Sequence, residues 1–312
     1  MRTLSIRFLV KKVLYMLASL WIVITLTFFL MKALPGDPFS EEQPLPKEIH
    51  EALLSYYGLD QPLWKQYTTY IYSISRGDLG PSYKYKNRTV NEIIKEYFPV
   101  SAYLGIEALL LAIGTGVLLG TLAALKENRW QDHLTILFTA LGVSIPSFIL
   151  AALLQYVFAL KWHLLPLARW ETFAHTILPA ITLALLPTAF ITRLMRASMI
   201  EVLKCDYIKT AKAKGLSMNT ILRRHALKNA SLPTLSYLGQ LITNVLTGSF
   251  IIEKIFSIPG LGQWFVNSVN NRDYSVIMGL TIFYSVLLML IILLIDIAYG
   301  FLDPRIQLEK NT

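Results

Sequence analysis

Asp206-Tyr207-Ile208-Lys209-Thr210-Ala211-Lys212-Ala213-Lys214-Gly215-Leu216, continued by Arg224-His225-Ala226-Leu227-Lys228-Asn229-Ala230-Ser231-Leu232-Pro233, is a polar, basic segment set between long apolar runs. Ala211 and Ala213 favour a helix, and Gly215 can end one because glycine takes the left-handed terminal conformation without strain. Ser217 is placed to cap a second helix through Ile221, Leu222 and Ala226, and Pro233 sits where the chain re-enters lipid. The pattern predicts helix, sharp turn, helix. It reads as a rigid docking handle, and the competing reading is an ordinary basic loop held at an anionic lipid surface.

The flanking chain decides the class. Hydrophobic residues make up 54% and charged residues 16% of the 312, too apolar for an ordinary soluble domain. Six runs are each long enough to cross roughly 30 Å of hydrocarbon: Val13 to Met31, Val100 to Leu125, Leu134 to Leu160, Ile177 to Met195, Leu235 to Phe256 and Tyr274 to Leu302. With six spans, 16 of the 29 Lys and Arg fall on the side of the two termini. Much of the remainder lies in one long loop, which crosses regardless of charge, so both termini are expected in the cytoplasm. The formal charge of +9 then belongs to a membrane face, and nucleic acid is not an expected partner. The first run is too long for a signal-peptide core and lacks a small-x-small cleavage site, so it is expected to be retained. Cys205, the single cysteine, falls at the cytoplasmic edge and reads as a small residue.

The loop from Lys32 to Phe98 is too long and too patterned for a simple connection. Pro35-Gly36-Asp37-Pro38 predicts a turn, and Leu53, Leu54, Tyr56, Trp64, Tyr67, Tyr70 and Ile71 have roughly helical spacing. Short surface helices are expected, either as a shielding cap or as a receiving surface. Between the last two spans, Pro259, Gly260 and Gly262 allow a tight fold, with Arg272 and Asp273 before the final helix. This is either an outer lip or, at Asp273, an N-terminal cap. Glu107 and Asp296 are the two acids read as lying inside spans; structural roles and a place along a translocation path both stay open. Gly114, Gly116 and Gly120 predict close helix packing, and Pro146, Pro179 and Pro187 interrupt backbone bonding in the middle spans.

Enzymatic readings lack their motifs. No G-x-x-x-x-G-K-[ST] loop occurs. His50-Glu51-Ala52-Leu53 is followed by Leu54, so a second zinc-ligating histidine is missing, and Thr247-Gly248-Ser249-Phe250 is not a nucleophile elbow. No cofactor or metal is expected.

The 206–233 segment resembles the EAA loop of binding-protein-dependent ABC importer permeases, in the peptide, oligopeptide and nickel branch. Two further blocks carry the same resemblance: Leu59-Asp60-Gln61-Pro62-Leu63 with Gln66-Tyr67 and Arg76-Gly77-Asp78-Leu79-Gly80, and Phe256-Ser257-Ile258-Pro259-Gly260-Leu261-Gly262 with Arg272-Asp273-Tyr274. Where the wider superfamily has Glu-Ala-Ala, this chain has Lys209-Thr210-Ala211, which removes only a role for the glutamate. The resemblance covers essentially the whole chain. It implies an all-α polytopic membrane protein with six transmembrane helices in a type I ABC importer permease (MetI-like) fold. The implied division is 1–31 for the N-terminus and first span, 32–98 for a folded extracytoplasmic insertion, 99–302 for a five-helix core and 303–312 for a cytoplasmic tail.

It implies a non-catalytic subunit of the bacterial cytoplasmic (inner) membrane that moves short peptides. The implied partners are a second homologous permease subunit, two ABC ATPase subunits or domains, an extracytoplasmic solute-binding protein and membrane lipid. Nickel or another small solute is the alternative cargo, and an ion-coupled secondary transporter the alternative class. On the resemblance, Asp206, Tyr207, Thr210, Ala211, Ala213, Lys214, Gly215 and Leu216 face the ATPase. Asp60, Pro62, Gly77 and Asp78 then face the binding protein.

Overall fold

The computed structural model describes residues 6–34, 38–39, 46–246 and 250–302. The expected turn at Pro35-Gly36-Asp37, the Thr247-Gly248-Ser249 stretch and the 303–312 tail lie outside the described residues. In chain order the helices are α1 (Ile6–Ala33), α2 (Lys47–Tyr56), α3 (Leu63–Ser75), α4 (Val90–Leu125), α5 (Trp130–Ser144), α6 (Ser147–Leu154), α7 (Ala174–Lys204), α8 (Asp206–Ala213), α9 (Met218–Ile221), α10 (Leu227–Ala230), α11 (Leu232–Leu246), α12 (Phe250–Ile255), α13 (Leu261–Asn270) and α14 (Tyr274–Leu302). Two π-helical turns, Gln155–Lys161 and Leu222–Ala226, follow α6 and α9.

Among the described residues four helices are long and apolar enough to cross a membrane: Val10–Ala33, Val90–Leu125, Ala174–Lys204 and Tyr274–Ile297. A fifth candidate is the pair Trp130–Ser144 and Ser147–Lys161, bent by 105°. The run read as Leu134 to Leu160 is therefore not one straight helix. Pro146 is the cause: it disfavours helical backbone at the preceding residue, and Ile145 is extended at φ −84°, ψ 117°. The run from Leu235 to Phe256 holds α11 and α12, with 247–249 between them.

The chain divides into two units, one of Met1–Pro99, Gly260–Leu293 and Gly300–Thr312, the other of Val100–Pro259 and Leu294–Tyr299. In the first, Val90, Ile93, Leu261, Val276 and Leu280 form a core, and a Cβ at Gly279 would stand 2.6 Å from Val90. α2 and α3 are the expected short helices of the long loop. Tyr67 on α3 meets α1 through Phe28, at 5.4 Å between ring centres, and through a 2.7 Å hydrogen bond with the Thr25 hydroxyl.

In the second unit α4 and α7 cross closely. A Cβ at Gly116 would lie 2.7 Å from the Ile191 side chain, and one at Gly120 would lie 2.7 Å from both Met195 Cβ and the Thr192 carbonyl. Gly116 and Gly120, four residues apart, thus form the small-residue face. Gly114 does not, since nothing stands within 4 Å of its Cβ position.

Candidate coupling site

The helix–turn–helix has the expected form. α8 ends at Ala213, after which the Leu216 N–H donates to the Ala211 carbonyl at 3.3 Å and the Gly215 N–H to Lys212 at 2.9 Å. Gly215 has φ +77°, so this is the left-handed, doubly bonded helix terminus that glycine permits. Ser217 then caps α9, its hydroxyl accepting from the Thr220 N–H at 3.4 Å. The second helix continues as expected through Ile221, Leu222 and Ala226, although Leu222–Ala226 is π-helical.

Packing fixes which side of α8 is available. Ile208 and Ala211 are buried in one cluster with Met195 and Met199 of α7, Ile221 of α9, and Ala226 and Ala230. Burying Ile208 alone contributes about 2 kcal/mol, enough to hold a two-turn helix that would be marginal in isolation. Ala211 therefore packs inward, whereas Asp206, Tyr207, Thr210, Ala213, Lys214, Gly215 and Leu216 are exposed. The Tyr207 hydroxyl accepts from Asn229 Nδ2 at 2.8 Å and braces α8 to α10. Lys209 pairs with Asp206 at 2.8 Å.

A feature the sequence reading missed anchors the same end of α7. Asp132, fully buried in the first turn of α5, receives Arg196 in a two-pronged pair, Nε to Oδ1 at 2.5 Å and Nη2 to Oδ2 at 2.6 Å. Oδ2 also accepts the Asn128 N–H at 2.9 Å. Arg193 Nε donates to the Thr139 hydroxyl at 3.1 Å. The signal in the sequence was Asp132 near the start of an apolar run and two arginines three apart near the end of another.

The remaining residues separate. In the first unit, Asp273 is buried and accepts from the Ser82 hydroxyl, from the N–H of Tyr83 at 3.1 Å and of Lys84 at 3.4 Å, and from the Val276 N–H at 3.3 Å. Asp273 thus caps α14, one of its two expected roles, and also ties the start of α14 to the long loop. Gly260 and Gly262 are buried and Arg272 is exposed at φ +55°. Pro259, exposed, ends a segment of the second unit, so the unit boundary cuts the expected lip. Asp60, Pro62, Gly77 and Asp78 are all exposed; Pro62 precedes α3, and Asp78 accepts from the Gly80 N–H at 2.9 Å.

Glu107 lies on α4, and its Oε2 is buried with no hydrogen-bond partner among the described residues. Asp296 lies on α14, half-buried. Glu253, inside the run from Leu235 to Phe256 but not singled out from the sequence, is fully buried on α12 and accepts from the Ser101 hydroxyl at 2.7 Å. Among the described residues no group of three His, Cys, Asp or Glu is arranged to hold a metal.

The family described as "Binding-protein-dependent transport system inner membrane component" matches residues 116–308, and its N-terminal counterpart matches residues 5–105. This chain belongs to that family. As such it is a multi-pass inner-membrane component, and residues 206–233 lie inside the longer matched region. Its similar relatives include the dipeptide transport system permease protein DppB of Bacillus subtilis, 49% identical over 98% of this chain and 99% of that protein. The oligopeptide transport system permease protein OppB of Haemophilus influenzae is 44% identical over 97% and 99%. Among solved structures, the inward-facing MetNI methionine ABC transporter gives a TM-score of 0.53 at 16% identity, covering 69% of this chain and 96% of that one. The fold of this permease-family chain is accordingly MetI-like.

Proposed function

We propose that this chain is one membrane subunit of an ABC importer that moves short peptides from an extracytoplasmic binding protein to the cytoplasm. It has six transmembrane helices and both termini inside. The observation that carries this reading is near full-length similarity to dipeptide and oligopeptide permease proteins. The bent pair supplies one span, and α11 with α12 the sixth. Residues 1–31, 32–98, 99–302 and 303–312 serve as first span, outer insertion, core and tail. The insertion, with Asp60, Pro62, Gly77 and Asp78 exposed, receives the binding protein.

The exposed edge of α8 and its turn, from Tyr207 and Thr210 to Ala213, Lys214, Gly215 and Leu216, seats in a separate ATPase. Ala211 holds that edge rigid from behind. A sister permease chain and two ATPase subunits complete the assembly, because this chain carries no phosphate-binding loop and breaks no bond itself. Nickel or another small solute is the second reading of the cargo. Purified alone, the chain should neither hydrolyse ATP nor load vesicles with labelled peptide, and both activities should appear with the partner subunits. Robust ATPase activity of the chain alone, free of contaminating ATPase, would contradict the proposal.

A further inference from the structure

We infer that Arg223, Arg224 and Lys228 form a seat for anionic phospholipid headgroups beside the last turns of α7; this rests on the orientation proposed above. All three side chains are exposed, and none enters an ion pair or side-chain hydrogen bond among the described residues. Of the neighbouring cations, Lys204 pairs with Glu127 at 3.3 Å, Lys209 with Asp206 and Arg196 with Asp132, while Lys212 and Lys214 stand exposed at the end of α8. The π-helical turn aims the trio outward. The buried positions run Ile221, Ala226, Ala230, an interval of five and then four, so the wide turn puts Ala226 into the core where regular α spacing would put His225. Arg224 and Lys228, four apart, are then left on one outer face.

Height along the membrane follows from packing. Ile221, Ala226 and Ala230 share a cluster with Met195 and Met199, which lie nine and five residues before the end of a membrane-crossing helix at Lys204. At 1.5 Å per residue the π turn and α10 flank the final stretch of that span, about 8 to 14 Å from its end. Guanidinium and ammonium groups at that depth reach lipid phosphates, which arginine grips through paired donors. Ala213, Gly215 and Leu216 give the turn after α8 small or apolar side chains beside Lys212 and Lys214, which suits a protein cleft better than the three long cations of this face do.

The test uses the whole complex in phosphatidylcholine vesicles with and without phosphatidylglycerol. Lipid retained after detergent extraction is measured for the natural chain, for Arg223→Gln/Arg224→Gln/Lys228→Gln, and for the charge-keeping Arg223→Lys/Arg224→Lys. We expect phosphatidylglycerol enrichment in the natural and Lys-substituted complexes, falling on the order of fivefold for each cation removed. ATPase association should stay unchanged. Should the triple variant not assemble, Arg224→Gln/Lys228→Gln carries the same expectation. Equal enrichment in the neutral variants, or loss of the ATPase subunit with lipid retention intact, would overturn the inference, the latter by assigning the face to a protein. A membrane-impermeant maleimide that labels Cys205 from the extracytoplasmic side would instead overturn the orientation on which it rests.

Discussion

The carboxylate of Asp273 is tied to the hydroxyl of Ser82, 191 residues earlier in the chain, inside a site closed to solvent. Three backbone N–H groups, of Tyr83, Lys84 and Val276, point at the same carboxylate. One side chain thus joins the start of the last long helix to the long loop. Asp273→Ala would leave the Ser82 hydroxyl and the Tyr83 and Val276 N–H groups without that acceptor, costing about 3 kcal/mol locally, while the Lys84 N–H keeps its 3.2 Å bond to the Ser82 hydroxyl. Hydrogen exchange at the Tyr83 amide should accelerate by about 100-fold, while the α4–α7 crossing keeps its protection. Unchanged exchange would show the clamp to be dispensable.

Beside that clamp, the Tyr83 phenol is pushed up to about 12, first by burial and then by the charges of Asp273 and Tyr57. The folded state favours the neutral phenol. Its contribution is therefore complete below the unfolded value near pH 10 and is lost as pH rises through about 12. Protection of the 80–90 loop should fall over that window, and Tyr83→Phe should flatten the fall. A slope unaffected by Tyr83→Phe would assign it to another group.

The glycines of α4 offer a paired test. Gly120→Ala places a methyl 2.7 Å from both Met195 Cβ and the Thr192 carbonyl, so α4 and α7 must part. Gly114→Ala meets nothing within 4 Å and gains helix propensity of up to about 1 kcal/mol. In detergent, Gly120→Ala should lower the melting temperature by several degrees and Gly114→Ala should hold or raise it. Equal effects would mean that the crossing is looser than described.

At Asp132 the pair with Arg196 is buried on one side only, the arginine side chain being 25% exposed. Removing the carboxylate with Asp132→Ala should cost about 2 kcal/mol or more, because Arg196 and the Asn128 N–H lose their acceptor. Asp132→Asn/Arg196→Gln should cost less than the sum of the singles. Thermal unfolding of the four forms checks this, and strict additivity would show that the pair carries no coupling.

Much of the coupling segment was legible in the sequence because its signals are local: alanines, a glycine and a serine at the positions that end one helix and start the next. The side of α8 that packs inward was not, since Ala211 and Ala213 are chemically identical and only contact with Met195, Met199 and Ile221 separates them. The same reason hid Asp132–Arg196 and Ser101–Glu253, pairs 64 and 152 residues apart whose meeting depends on helix placement. Run length marked four spans and, as a bent pair, a fifth among the described residues. It could not show the 105° bend, which comes from Pro146 acting on Ile145. Gly114 failed as a packing residue because composition alone does not say which side of α4 meets α7.

The central claim is that α8 and its glycine turn transmit ATP-driven motion to the membrane helices. Gly215→Val forces a β-branched residue to φ +77°, at a cost on the order of 1 kcal/mol or more. The Cβ itself has open space, so the effect is confined to the backbone of the turn. The direct measurement is peptide taken up per ATP hydrolysed in the reconstituted complex, for the natural chain, Gly215→Val and Ala213→Glu, at matched membrane levels. The account predicts normal insertion with that ratio at least halved in both variants; wild-type ratios and wild-type ATPase association in both would contradict it.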